Sequence, residues 1–256
     1  MPNIPLHVLA ALLVLHPVVA MTPPVAPLAA PPLLAQAEDY RRAAGERRGD
    51  TLVASFSIRE VRWRPEGRAG ATLPAYTFVE DGRAPRVPGP LLRASAGTPM
   101  RVVLHNTLGV RIVVFGLQAH APQRGTDSIA LGPGQRTTVS FRANAAGTYY
   151  YWARLRPPVR HPTAPVPDDW PSGEKGEGTL VGALVGDPAG TPPPRGERIL
   201  LIHRWLDDDD PRVNHDPSLK MVVNGLSWPN TERLRYTVGD TVRWRVTVTV
   251  ASTPSA

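Results

Sequence analysis

The chain has no cysteine in its 256 residues. That excludes disulfides, thiolate nucleophiles and thiolate metal ligands together. Lysine is nearly as scarce, occurring only at Lys175 and Lys220, so arginine carries almost all of the positive charge behind the net +7. The arginines run from Arg41 to Arg245, in pairs at most and interleaved with acids. A nucleic-acid or membrane-surface protein would gather such charge on one element, so this pattern reads as a preference for Arg over Lys, with no nucleic acid expected. The first 37 residues contain no Lys, Arg, Asp or Glu. Their apolar stretch "VLAALLVL" (8–15) has signal-peptide length and is too short to span a bilayer. Small-x-small sites follow at Val18-Val19-Ala20 and Ala35-Gln36-Ala37. Residues 1–37 therefore read as a signal or leader segment of a secreted or periplasmic protein with no membrane span. A disordered Pro/Ala-rich leader is the competing reading, since no basic residue precedes the apolar run, and Met21 offers an alternative start.

Proline (30) and glycine (22) are abundant, and they break the chain into short runs without long helical periodicity. Short alternating segments between turn residues predict an all-β sandwich or barrel. After a charged stretch at 38–50, read as a short helix or linker, "TLVASFSIREVRW" puts Leu52, Ala54, Phe56 and Ile58 on one face. "PAYTFVEDG" (74–82) is a second strand, and "VPGPLLRASAGTPMRVVLHN" (87–106) supplies turns and two extended stretches. "VRIVVFGLQ" (110–118) reads as a buried central strand; "LGPGQRTTVSFRA" (131–143) is a turn and a strand with Thr137, Val139 and Phe141 inward. "AGTYYYWAR" (146–154) alternates Tyr149 and Tyr151 against Tyr150, Trp152 and Arg154. A long loop at 156–177 precedes "GTLVGALVGD" (178–187). That makes about eight strands, the spacing of a Greek-key sandwich at 51–189. "GTPPPRGE" closes this domain with a Pro-rich linker at 190–197. In 198–256, the final run puts Val242, Trp244, Val246, Val248 and Val250 on one face. A few strands cannot close a sandwich, so an apolar face and an open edge are expected there, from truncation or for completion by another chain.

Histidine is the chief remaining candidate for transition-metal chemistry. His7 and His16 lie in the leader, while His105 and His203 read as structural because neither has a paired ligand in sequence. His120, His161 and Asp168 or Asp169 are candidates for an adventitious metal site. His215 follows the acidic run Asp207–Asp210, which lacks the alternating spacing of a calcium loop and reads as a solvated turn. Asp127-Ser128 with His120 nearby in sequence invites a triad reading, but nothing in the sequence establishes their geometry and the proximity reads as coincidence.

Several segments jointly resemble the bacterial multicopper oxidases, which are built of cupredoxin domains. "VPGPLLRASAGTPMRVVLHNTLG" is similar to their first-domain opening, "VVFGLQ" to the strand with the first histidine pair, and "LGPGQRTTVSFRANAAGTYYYWAR" to the approach to the second. "GTLVGALVGDPAG" is similar to the closing strand, and "VVNGLSWPNTERLRYTVGDTVRWRV" to the start of the next domain. The resemblance implies an all-β, cupredoxin-like Greek-key β-sandwich, one complete domain plus the first strands of a second. In that family His-x-His pairs hold a trinuclear copper cluster that reduces oxygen, and a Cys-His centre takes electrons from substrate. The first pair falls here on Val113 and Phe115, the second on Trp152 and Arg154. None of the four can ligate copper: two have no donor atom, the indole N–H only donates, and the guanidinium stays protonated. After "RWRV" the chain reads Thr247-Val248-Thr249 where the family continues with an Asn-containing turn, which suggests a longer reading frame lost there.

Copper is thus expected for the family but not for this chain alone, and no catalytic, cofactor-binding or metal-ligating residue is assigned. The expected partner is a missing C-terminal cupredoxin domain or another chain. An exported β-sandwich module that binds a partner or glycan through the aromatic strand and the 156–177 loop is the alternative. A third possibility is an oxidase whose second chain supplies every ligand.

Overall fold

The alternation of small turns and β-branched residues produces fifteen strands among the described residues, with no α-helix. The computed structural model describes residues 32–118, 128–143, 145–156, 177–194, 196–207 and 218–249. In chain order the strands begin with β1 (Gln36–Ala37), β2 (Glu46–Arg48), β3 (Thr51–Trp63), β4 (Leu73–Glu80) and β5 (Arg86–Val87). Next come β6 (Gly89–Ser95), β7 (Pro99–Asn106), β8 (Arg111–Phe115), β9 (Ile129–Leu131) and β10 (Arg136–Arg142). The last five are β11 (Gly147–Arg156), β12 (Val181–Asp187), β13 (Arg198–Asp207), β14 (Ser218–Val223) and β15 (Trp244–Thr249).

Two five-stranded sheets face each other. One runs β10-β7-β3-β2, with β4 on the second half of β3; the other runs β6-β12-β11-β8-β9. Between them lie the residues whose period-two spacing marks them as inward: Leu52, Ala54, Phe56 and Ile58 from β3, Val102 and Leu104 from β7, Ile112 and Val114 from β8. Val139 and Phe141 of β10 and Tyr149 of β11 pack against this core, and Tyr151 is inside it. Asn106 closes one end. Its buried amide donates to the carbonyls of Val110, Leu131 and Gly132, and its Oδ1 accepts the N–H of Leu108. One side chain thereby fixes the exit of β7, the entry to β8 and the turn before β10, where backbone groups would otherwise be buried unpaired.

The third layer is the sheet β14-β13-β15. Its inner face, with Ile199 and Leu201, packs on Leu91, Val181, Ala183 and Val185. The β6-β12-β11-β8-β9 sheet is therefore covered on both faces along β12, and every residue of Val181–Asp187 is buried. A strand buried on both faces reads as a continuous run of small and apolar residues, as "VGALVGD" does. Asn224, just past β14, ties that end of the layer to β13 by accepting the N–H of Leu201 and donating to the carbonyl of Ile199. The Trp63 indole donates to the Gly225 carbonyl at 2.9 Å.

Two segments differ from the sequence expectation. Residues 38–50 form neither a helix nor a free linker: Glu46–Arg48 pair antiparallel with Thr51–Val53 as β2, and Tyr40 and Ala44 are buried. The apolar pair anchors the segment, which local charge alone does not reveal. The leader boundary at 37 also runs through folded chain. Ala35 is buried and donates to the Arg62 carbonyl, and Gln36–Ala37 pair with Arg86–Val87. Cleavage after Ala37 would remove these contacts, whereas cleavage after Ala20 would spare them.

Candidate functional site

Strands β8 and β11 are antiparallel neighbours, and their register decides what the four positions named above can do. Trp152 lies opposite Phe115, and Arg154 opposite Val113. Residues at i and i+2 share a face, so the two pairs form one two-by-two patch on the outer face of the sheet. The rings of Phe115 and Trp152 stack with centroids 4.3 Å apart and planes 17° apart. The Arg154 guanidinium carbon sits 4.8 Å from the centre of the Trp152 ring, a cation–π geometry, and Arg154 is 8% exposed. Stacked rings and a cation occupy the patch beside Val113. The patch has no acceptor atom that could bind a metal cation.

The opposite face of the same strand explains why "GTYYYWAR" is so aromatic. Tyr151 is fully buried, stacked on Phe56 at 5.9 Å and edge-on to Phe78 at 4.9 Å. Its hydroxyl donates to the Pro90 carbonyl at 2.6 Å, and burial pushes the phenol well above its ordinary range. To reach Pro90 the ring crosses β12 directly over Gly182, where a Cβ would lie 2.3 Å from the ring. Gly116 is the second obligatory glycine. Its φ is +80°, and a Cβ there would meet the Tyr150 carbonyl at 2.4 Å. The turn after Phe115 thus brings the backbone of β8 close against β11.

The other candidate residues disperse. His105 is half-buried on the outer face of β7, its Nδ1 3.2 Å from an Arg136 nitrogen. His203 is fully buried between the third layer and the sandwich, its ring 6.1 Å from that of Trp63. His7, His16, His120, His161, His215, Asp127, Asp168, Asp169 and Asp208–Asp210 lie outside the described residues, as does most of the 156–177 loop. Ser128 is exposed. Among the described residues no three His, Cys, Asp or Glu side chains gather as a metal site, and no helix is long and apolar enough to cross a membrane.

His203 carries a pH prediction. Among the described residues neither ring nitrogen has a hydrogen bond of good geometry. Burial pulls the imidazole from its ordinary value near 6.5 down to about 4, and the backbone at Arg204 and Gly178 only softens this. The unfolded chain therefore takes up a proton that the fold refuses between those values. Stability is fully present above pH 6.5 and falls by about 3 kcal/mol as the pH drops towards 4. Glu38, whose carboxyl burial raises, acts in the opposite sense. Urea unfolding at pH 7.5 and 4.5 should show a larger loss for the unaltered chain than for His203→Leu; equal losses would remove His203 as the cause.

An ion cluster that no sequence motif announces joins the layers. Arg93 of β6 grips Asp187 with two bonds of 2.7 and 2.8 Å and meets Glu197 at 2.8 Å. Arg245 of β15 meets Glu197 at 2.8 Å and Asp187 at 3.6 Å, and donates to the Thr148 hydroxyl. The Asp187 hydrogen bonds raise the Arg93 pKa further. These residues span 152 positions in sequence, from 93 to 245, so no local pattern could have joined them.

No protein-family model and no curated protein sequence matches the chain. Solved structures do match. A blue copper oxidase from Nitrosomonas europaea aligns with TM-score 0.55 and 22% identity, over 77% of this chain and 60% of that one. A copper nitrite reductase from Nitrosomonas europaea aligns with TM-score 0.54 and 20% identity, over 77% and 68%. A multi-copper oxidase from Pseudomonas thermotolerans gives 0.54 and 21%, over 77% and 46%. At such identities the likeness shows the fold, a cupredoxin-like β-sandwich. The chain spans about 60% of the length of the first oxidases it matches.

Proposed function

We propose that this chain is the N-terminal scaffold part of an exported multicopper-oxidase-like protein whose first domain keeps the fold without the copper ligands. The register of β8 and β11 carries the reading. It brings the two positions of each expected histidine pair into one patch, as a copper-binding edge would require, and fills that patch with Val113, Phe115, Trp152 and Arg154. These residues do not fit copper, and no oxygen-reduction step is assigned to them.

The third layer supports the same reading. On its outer face Met221, Trp244, Val246 and Val248 are each about half exposed, at 48%, 53%, 50% and 49%. The partners of β15 on the inner side are Thr247 and Thr249. A strand that turns its threonines to the interior and its valines outward is built to receive a second apolar sheet, about 10 Å away in a sandwich. Further cupredoxin strands or another chain would supply it. The role assigned to this chain is a scaffold and a substrate-side wall, with copper carried elsewhere. The alternative, a binding module, would have to use the Phe115–Trp152 stack, because Tyr151 is committed to the core.

The test is copper alone. The unaltered chain, incubated with Cu(II) and desalted, should retain far less than one metal per chain. The fourfold variant Val113→His, Phe115→His, Trp152→His and Arg154→His should retain at least one, since cross-strand and i,i+2 imidazoles converge on one face. One or more tightly held coppers in the unaltered chain, or oxygen uptake with a phenolic substrate, would sink the proposal.

A further inference from the structure

Five of the arginines that are scattered in sequence come together on one face. The outer face of the β10-β7-β3-β2 sheet is set by the register: Arg136 opposite His105, Thr138 opposite Val103, Ser140 opposite Arg101 and Arg142 opposite Pro99. Parallel pairing then puts Val53 beside Arg101 and Ser55 beside Val103, and the β2 hairpin adds Arg48 opposite Thr51 and Glu46 opposite Val53. Arg59 continues the face along β3. Five exposed guanidiniums, those of Arg48, Arg59, Arg101, Arg136 and Arg142, thus share one face with three carboxylates, Glu46, Asp50 and Asp81. Asp81 is already engaged: it accepts the Ser55 and Ser57 hydroxyls at 2.6 and 2.7 Å. Among the described residues none of the five arginines has a carboxylate within 4.0 Å.

We infer that this face docks a linear sulfated polysaccharide. Four strands spaced about 4.8 Å apart, each with four or so outward positions at about 7 Å, make a surface roughly 15 by 20 Å. Guanidinium forks on such a grid match the oxygens of successive sulfate groups along an extended polymer. Thr138 and Ser140 stand between the arginines as hydroxyl partners, while the Thr51 hydroxyl donates to Asp50. The face favours this partner over two other polyanionic surfaces. Among the described residues its aromatic ring is the half-buried His105 imidazole, held 3.2 Å from an Arg136 nitrogen, so no Phe, Tyr or Trp platform stands open to a nucleic-acid base. Its apolar residues, Val53, Pro99 and Val103, are half-buried within the sheet, and none projects towards a lipid layer.

The experiment is heparin affinity of the full chain against salt. The double variant Arg101→Glu/Arg142→Glu, at two exposed positions, should weaken binding at least tenfold at about 150 mM salt and reduce the log–log salt slope by roughly two. Arg68→Glu/Arg233→Glu, which makes the same change in net charge at exposed positions off this sheet, should leave affinity within about twofold. The milder Arg101→Gln/Arg142→Gln pair should weaken binding in the same direction, which guards against misfolding of the reversed pair. Equal weakening by the on-sheet and off-sheet pairs would overturn the inference, leaving the edge arginines as guards against strand pairing. Tighter binding to a single-stranded oligonucleotide or to phosphatidylglycerol vesicles than to heparin would overturn the choice of partner.

Discussion

Asp187→Ala should lower the stability of the fold by about 3–5 kcal/mol, read as a fall in the urea midpoint at neutral pH. The carboxylate is almost wholly buried and takes both forks of Arg93 at 2.7 and 2.8 Å. Its removal leaves the Arg93 and Arg245 guanidiniums, side chains only 15% and 16% exposed, to share Glu197. The cost is chiefly that of an uncompensated buried cation rather than of a lost contact. The joint replacement Arg93→Met/Asp187→Leu should therefore cost less than Asp187→Ala alone. If the double change costs as much as the sum of the two single changes, the residues are not coupled and the cluster is not what joins the third layer to the sandwich.

Tyr151→Ala should be of the same size, about 3–5 kcal/mol, because a fully buried ring leaves a cavity between Phe56 and Phe78. Tyr151→Phe separates the ring from its hydroxyl. It should cost only about 1–2 kcal/mol, the value of one buried hydrogen bond to the Pro90 carbonyl. Gly182→Ala tests the same contact from the other strand, since its methyl would meet the Tyr151 ring at 2.3 Å. If Gly182→Ala were neutral, the ring would not be held over β12 as described. Thermal unfolding of the three variants would rank them directly.

Period-two alternation made the inward faces of β3, β10 and β11 readable, because side chains on a strand point alternately to opposite sides. The same rule, applied to spacing alone, placed Val113 and Phe115 together on one face of their strand, and Trp152 and Arg154 together on one face of theirs. It could not bring the two pairs together. That depends on strand register, which puts Trp152 opposite Phe115. Their stack and the cation beside it were therefore unreadable, although the absence of metal-binding atoms followed from residue identity alone.

The sequence by itself thus determined the all-β class, the shared face of each strand, and the absence of metal-binding atoms from the side chains of Val113, Phe115, Trp152 and Arg154; these follow from local sterics and side-chain chemistry. The tertiary structure decided which face meets which layer. It turned the valines of β15 outward and its threonines inward, joined Arg93 to Arg245 through Asp187 and Glu197, and gathered Arg48, Arg101 and Arg142 on one surface. Such contacts between distant positions arise from strand pairing and packing, which no short window of sequence encodes.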